Sequence, residues 1–250
     1  MSAPVRPAVA VLGVTSAIAR ATANAFAEAG HPIVVAARDE SELDRIASDI
    51  RVRYGVEVKS VVFDAADYAS TESLCDRCIE ACETLAGVIV GFGFMDEQAA
   101  GQADSEVIRK TVNANLTESA VMLERFAAHF EDQGAGFIVG IASVAGDRGR
   151  QSNYIYGSSK AGFTTYLQGL RNRLDKQGVR VLTVKPGFVD TKMTFGLPGL
   201  FLVATPESVG QTIHRAVQRE KDMIYVPWFW RYILLIIRAI PERVFKRMSL

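Results

Sequence analysis

The residues best placed to do chemistry are a tyrosine and a lysine four positions apart, Tyr156 and Lys160, in the run Tyr-Gly-Ser-Ser-Lys. On a helix that spacing sets both side chains on one face. An ammonium beside a phenol favours the phenolate, so the Tyr156 pKa is expected to fall below its ordinary value of about 10. A phenol tuned in that way exchanges a proton near neutral pH. Ser143 stands 13 residues before Tyr156, at the end of an apolar run that reads as a strand. That is where α/β folds place ligands, and a hydroxyl there could hold a substrate carbonyl. Tyr154 competes for the same role, but it lies six residues from Lys160 and off the shared face.

A second constellation sits near the start of the chain. The run Ala8–Leu12 leads directly into Gly13-Val14-Thr15-Ser16-Ala17-Ile18-Ala19 and a helical pattern. A tight turn between strand and helix offers backbone N–H groups and the positive end of the helix dipole to a pyrophosphate, which marks Gly13, Thr15, Ser16 and Ile18 as cofactor-binding candidates. The glycine pattern is thin. Only Gly13 stands, with Ala17 and Ala19 at the other two positions, so a plain βα turn without a ligand fits the motif equally well. Arg38 closes the second apolar run after Ala36 and Ala37. An acidic residue there would grip the ribose 2′-hydroxyl of NAD, whereas an arginine suits the 2′-phosphate of NADP. NADP(H) is therefore favoured, with NAD(H) left open; the alternative is a solvated loop arginine. Asp64, after the third run, is placed either for an adenine contact or to cap a turn.

The elements that must position these groups alternate along the chain. Strands are expected at Ala8–Leu12, Ile33–Ala37, Val56–Phe63, Val88–Val90, Phe137–Ile141, Val179–Val184 and Met223–Val226. Helical patterns lie between them: Ser16–Ala29, a segment ending near Arg53, Thr71–Leu85, Ser105–Asp132 in one or two pieces, Ser152–Gln177, and one from Pro206. This order predicts an α/β fold, a Rossmann-like doubly wound sheet of about seven mostly parallel strands with helices on both faces. One domain over residues 1–227 accounts for it, followed by an amphipathic basic tail over residues 228–250.

Composition narrows the function. The net charge is zero, so no bulk field recruits nucleic acid. No run approaches 18 apolar residues, so no spanning helix is expected, and Met1–Pro7 does not read as a signal peptide. The three cysteines, Cys75, Cys78 and Cys82, follow one face of a helix. That pattern reads as a buried apolar face rather than a metal site, because no fourth ligand lies nearby in sequence. Unpaired thiols point to a reducing, cytoplasmic compartment.

In Ser143, Tyr156-Gly-Ser-Ser-Lys160 and Asn115 within Asn-Ala-Asn-Leu-Thr, the chain resembles the short-chain dehydrogenase/reductase family, and it does so over essentially its whole length. The resemblance implies four active-site residues, Asn115, Ser143, Tyr156 and Lys160. In it Tyr156 is the general acid in reduction, Lys160 holds the nicotinamide ribose, and Asn115 joins a proton relay through water. Pro186-Gly187, with Val189 and Thr191, matches the family's loop against the nicotinamide. Departures occur at Leu12, Ala17, Ala19 and Val90-Gly91-Phe92-Gly93, where Gly91 remains a cofactor-binding candidate. A homo-oligomer is expected.

Within the family the chain is similar to the decaprenylphosphoryl-2-keto-ribose reductases, in Val88–Gly93, in Ala145-Gly-Asp-Arg148-Gly-Arg150, and above all in the tail Phe229–Pro241 and Val244–Met248. That likeness implies a lipid-linked 2-keto sugar as substrate and a flavin-dependent oxidase as partner. The apolar residues Phe195, Leu197, Leu200, Phe201, Leu202 and Val203 lie in the loop expected over the site. They suit such a substrate or an ordinary apolar lid. Arg148 and Arg150 could meet a substrate phosphate, or be two solvated arginines. From Lys221 onward six Lys/Arg face two Asp/Glu. The tail therefore suits either peripheral contact with the cytoplasmic membrane or packing on the domain. The competing functions are a soluble reductase of another small-molecule ketone, such as a steroid or 3-oxoacyl compound, and a non-catalytic dinucleotide-binding regulator.

Overall fold

Short apolar runs between helical patterns belong in one parallel sheet. In the computed structural model, which describes residues 6–196 and 201–248, seven strands form it, the central ones buried on both faces and β3 partly exposed at the edge. The strands are β1 (Ala8–Leu12), β2 (Ile33–Ala37), β3 (Val58–Val62), β4 (Leu85–Val90), β5 (Gly136–Ile141), β6 (Val179–Pro186) and β7 (Met223–Val226). They pair parallel throughout, in the order β3-β2-β1-β4-β5-β6-β7. Every residue of β1 and β2 is buried, as a central strand with helices on both sides requires.

The helices are α1 (Ala17–Glu28), α2 (Glu40–Tyr54), α3 (Tyr68–Glu80), α4 (Gln98–Ala103), α5 (Ser105–Val112), α6 (Glu118–Gln133), α7 (Tyr154–Leu174), α8 (Pro206–Gln218), α9 (Trp230–Ala239) and α10 (Glu242–Phe245). One core, on the α3, α6 and α7 side of the sheet, includes Leu74, Phe126, Phe130 and Phe163. The other, on the α1, α2 and α8 side, includes Phe26, Leu43, Ile50 and Ile213. Chain connections run one way from β1 to β3 and the other way from β4 to β7. The strand ends therefore part between β1 and β4, and a crevice opens at their C-terminal edge.

Three local features sharpen or correct the sequence expectation. The pattern at 105–132 is in two pieces, one of the two arrangements expected: α5 and α6 are joined by a π-helical turn at Asn113–Thr117 that carries Asn115. Such turns recur at functional sites. The short helix α4 has too few residues to show a periodicity. The cysteine helix starts and ends earlier than expected, so Cys82 lies beyond it. Cys75 and Cys78 are buried in the first core, where burial pushes the Cys75 thiol up to about 12. They form part of an apolar helix face.

The tail does not stand apart as a separate segment. Trp230 and Leu234 on the inner side of α9 are buried and form a third cluster with Val144, fringed by Phe188, Tyr225 and Phe229. Gly187 makes this possible: a Cβ there would meet the Trp230 indole at 1.9 Å. The helix packs directly on the loop after β6. Leu197 and Leu200 of the expected lid lie outside the described residues.

Candidate active site

Strand β5 ends at Ile141, and two residues later Ser143 opens a 3-10 turn, Val144–Asp147. Its Oγ accepts a hydrogen bond from the Ala145 N–H at 3.1 Å, capping that turn. The turn packs backbone to backbone on α7. A Cβ on Gly146 would lie 2.7 Å from the Ala161 nitrogen, and one on Gly157 would lie 2.8 Å from the Ala145 oxygen. Two glycines thus let the Ser143 turn seat against the first turns of α7. There the Ser143 hydroxyl comes near enough to the Tyr156 hydroxyl to favour its phenolate form.

Lys160 sits one turn further along α7 and is buried. Its Nζ donates to the Ile141 carbonyl at 3.0 Å and lies 5.9 Å from the Tyr156 ring centroid. Burial is the dominant electrostatic effect on both side chains. It lowers the Lys160 pKa to about 8, because an ammonium loses water. It raises Tyr156 to about 12, with the Ser143 hydroxyl opposing the rise. The sequence expectation of a lowered Tyr156 pKa is therefore corrected. Lys160 turns its charge to a backbone carbonyl, and loss of water costs the phenolate more than the distant ammonium returns.

Asn115 is fully buried and fully engaged. Its Oδ1 accepts from the Phe94 N–H at 2.8 Å, and its Nδ2 donates to the Phe94 carbonyl at 2.7 Å and to Ser159 Oγ at 3.0 Å. It clamps the segment after β4 to α7. A Cβ on Gly93 would stand 2.7 Å from Asn115 Oδ1 and 3.4 Å from Lys160 Nζ, so only glycine lets that segment pass between them. Ser143, Tyr156, Lys160 and Asn115 converge at the C-terminal edge of the sheet. Tyr154 does not: it is exposed, and its hydroxyl accepts from Gln102 Nε2 at 3.1 Å.

On the other side of the crevice, Gly13 takes a φ of +78°, and a Cβ there would strike Phe92. Gly13 and Val14 donate to the Ala36 carbonyl, and Ser16 donates to that of Gly13, which fixes the turn. Ser16 makes no side-chain bond across the N-terminus of α1, whereas α2, α3, α5 and α8 are capped by Asp39, Asp67, Asp104 and Thr205. The start of α1 keeps N–H groups for an anion. The alanine at position 19 is tolerated because β4 is followed by Gly91: a Cβ on Gly91 would meet Ala19 Cβ at 2.6 Å. The small residue that close packing needs has moved across the contact.

Arg38 is exposed and makes no ion pair among the described residues. Asp64 Oδ1 accepts from the Ala66 N–H at 3.0 Å, so one oxygen of its carboxylate caps a turn. After β6, Pro186-Gly187 runs into a bridge between Val189 and Ala204. Thr194 then fastens the next turn, accepting from the Thr191 N–H and donating to the Val189 carbonyl. Thr191 lines an open cleft of about 630 Å³ with Asp190, Lys192 and Phe195.

Arg148 is not at a substrate mouth. It donates to the carbonyls of Ile237, Arg238 and Ile240 at 2.6 to 3.0 Å, pairs with Glu242 at 2.9 Å and covers the Phe245 ring. The expectation of a phosphate contact fails there because Nη1 closes the C-terminus of α9 through three carbonyls and Nη2 is taken by Glu242. Arg150 is half-buried with its Nε unpartnered, so neither does it match a solvated arginine.

Sequence reasoning missed one group entirely. Lys185, the last residue before Pro186, is buried and holds Asp147 Oδ1 at 2.5 Å, while Asp147 Oδ2 accepts from the Tyr225 hydroxyl at 2.7 Å. Asp147 ends the Ser143 turn, so this pair fastens that turn to the end of β6 and to β7. A lysine beside Pro-Gly and an aspartate four residues after Ser143 were the available signals.

Residues 7–197 match the family model described as short chain dehydrogenase. An uncharacterized oxidoreductase of Mycobacterium tuberculosis is 33% identical over 220 residues, covering 88% of each chain. An uncharacterized oxidoreductase of Streptomyces coelicolor is also 33% identical, over 95% of this chain and 94% of the relative. Among solved structures, a short-chain dehydrogenase from Sphingobium yanoikuyae in complex with NADPH superposes with a TM-score of 0.79 at 26% identity, covering 95% of this chain and 97% of that one.

Proposed function

The chain belongs to the short-chain dehydrogenase/reductase family, and on that premise we propose that it uses NADPH to reduce a ketone to a secondary alcohol. The observation that carries the reading is the convergence of Ser143 and Tyr156, with Lys160 Nζ 5.9 Å from the Tyr156 ring one turn away on α7. The uncapped N-terminus of α1, the Gly13 turn and the unpaired Arg38 fit a dinucleotide with a 2′-phosphate. The NADPH bound by the Sphingobium relative supports the same choice. When bound, NADPH supplies a hydride to the carbonyl carbon.

The rest falls to the chain's own residues. Ser143 Oγ donates a hydrogen bond to the carbonyl oxygen and orients it. Tyr156, protonated throughout the neutral range because its pKa lies near 12, gives its proton to that oxygen as negative charge develops there. Lys160 holds the ribose and, when charged, stabilises the phenolate left behind. Asn115 acts at one remove, keeping the segment after β4 in place through Phe94. Pro186, Gly187, Val189 and Thr191 form the wall against the nicotinamide.

For the substrate, the reading is the 2-keto group of a polyprenyl-phosphate-linked pentose, supplied by a flavin-dependent oxidase at the cytoplasmic membrane. The exposed lid residues Phe195, Phe201, Leu202 and Val203 support it, as does the tail resemblance. Arg150 is the remaining candidate for the phosphate. The same lid supports a second reading, another bulky apolar ketone such as a steroid or 3-oxoacyl compound. NADPH deuterated at the transferred position decides the chemistry: deuterium must appear on the carbinol carbon of the product. Transfer to steroid and 3-oxoacyl ketones with none to the keto sugar would remove the substrate half of the reading alone.

A further inference from the structure

Helix α9 buries one face and leaves the other open. Trp230 and Leu234 pack inward, while Trp228, Tyr232, Leu235 and Ile236 are 72%, 57%, 64% and 68% exposed. Their spacings of four, three and one place them along one side of the helix and its approach. The Trp228 and Tyr232 rings touch at 5.9 Å between centroids, so the stripe is continuous rather than scattered. Single exposed apolar residues need no explanation, but a contiguous stripe of large ones marks a contact surface.

Charge selects the occupant. The flanking exposed cations are Arg231, Arg238, Arg243, Lys246 and Arg247, against one exposed acid, Glu242. The single acid in α9 and α10, Glu242, is already paired with Arg148. We propose that this face docks on an anionic lipid bilayer surface. The apolar stripe sinks to the level of the acyl boundary, Trp228 and Tyr232 sit among the headgroups, and the cations meet lipid phosphates. A second copy fits less well, because a two-fold contact through this face would set the same cations against each other.

The inner side of the same helix meets the lid. Phe201 packs on Trp230 at 5.6 Å and on Phe188 at 5.7 Å between centroids, so the lid and the docking helix are packed together. The inference deepens the lipid-substrate reading, on which it rests for what enters the cleft. Its test uses no substrate, so the two fail separately.

The test is cosedimentation of the full-length protein with phosphatidylglycerol-rich vesicles and with pure phosphatidylcholine vesicles. Binding to the anionic vesicles only is expected. The double variant Leu235→Glu, Ile236→Glu should weaken it by on the order of 100-fold. Arg243→Gln with Lys246→Gln should weaken it by roughly 30-fold, since each cation near the surface contributes a factor of about five. All four positions are exposed, and unchanged thermal melts confirm that the fold is kept. The proposal is overturned if the wild-type protein stays in the supernatant with both vesicle types. It is equally overturned if Leu235→Glu with Ile236→Glu instead lowers the molar mass in solution, which would make the face a contact between copies. Turnover of the keto sugar dispersed in detergent tests the substrate reading alone.

Discussion

The two sides of the crevice are built by different means. The side at Gly13 is local: β1, one turn, α1 and Arg38 fall within a single stretch of chain, and main-chain hydrogen bonds hold the turn. The side at Ser143 is assembled from distant segments. Asp147 is tied to Lys185 and Tyr225, 38 and 78 residues away, and Arg148 reaches 89 to 94 residues to α9 and α10. A local turn can absorb substitution, as Ala19 opposite Gly91 shows. A turn fixed by buried charge cannot, since removing either partner strands the other. Damage to the tail or to β6 should therefore reach the reacting side, while damage to the dinucleotide side should stay a matter of affinity.

The largest expected effect is removal of residues 228–250. That deletes Trp230 and Leu234, leaves Phe188 and Val144 uncovered, and strips Arg148 of its partners. Losses for buried Trp and Leu of about 3–5 and 2–5 kcal/mol are comparable with a whole domain's stability. The truncated protein should melt far below the full chain or without cooperativity. A melting temperature near that of the full chain would break the comparison at its base.

Next is Lys185→Met. With Asp147 left charged and buried, stability should fall by about 3–5 kcal/mol in urea titrations. Adding Asp147→Asn should recover part of this, because the stranded charge is gone. NADPH affinity per folded molecule should change little. A selective loss of NADPH binding would place Lys185 on the dinucleotide side instead.

The third effect concerns Lys160. Its folded pKa of about 8 lies below the ordinary 10.5, so between those values the folded chain binds fewer protons than the unfolded one. The Lys160 contribution to stability should thus rise with pH across that window, by on the order of 3 kcal/mol. Above the ordinary thiol value of 9.0 the buried Cys75 and Cys78 oppose it, and above 10 Tyr156 does too, because their raised pKa values keep protons that the unfolded chain loses. A net rise is therefore expected between pH 8 and 9, and Lys160→Met should flatten it; an unaltered rise would assign it to another group.

The smallest effect is Arg38→Ala, which should weaken NADPH by about 1–3 kcal/mol and leave NADH nearly unchanged. Equal losses for both cofactors would remove Arg38 from the 2′-phosphate.

The same contrast explains what was legible in the sequence. Short apolar runs and helical patterns between them located all seven strands and the longer helices, and the Tyr156–Lys160 spacing put both residues on α7 near Ser143. Signals that depend on distant partners were silent. Nothing around Asp147 announces Lys185, and Arg148 reads as a free cation until α9 is folded over it. The tail showed its amphipathic character but not that its two apolar sides differ, one under Gly187 and Phe188 and one in solvent. The Tyr156 pKa was misjudged for the same reason: spacing gives the neighbour, whereas burial, which dominates, is set by the whole fold.

The account stands most directly on Tyr156→Phe, assayed by NADPH consumption with a reducible ketone and by NADPH binding on the same preparation. The ring still packs and the dinucleotide side is untouched, so binding should match the wild-type protein while kcat falls by about 10²–10⁴-fold. A variant that retains more than about a tenth of wild-type kcat would show that another group supplies the proton.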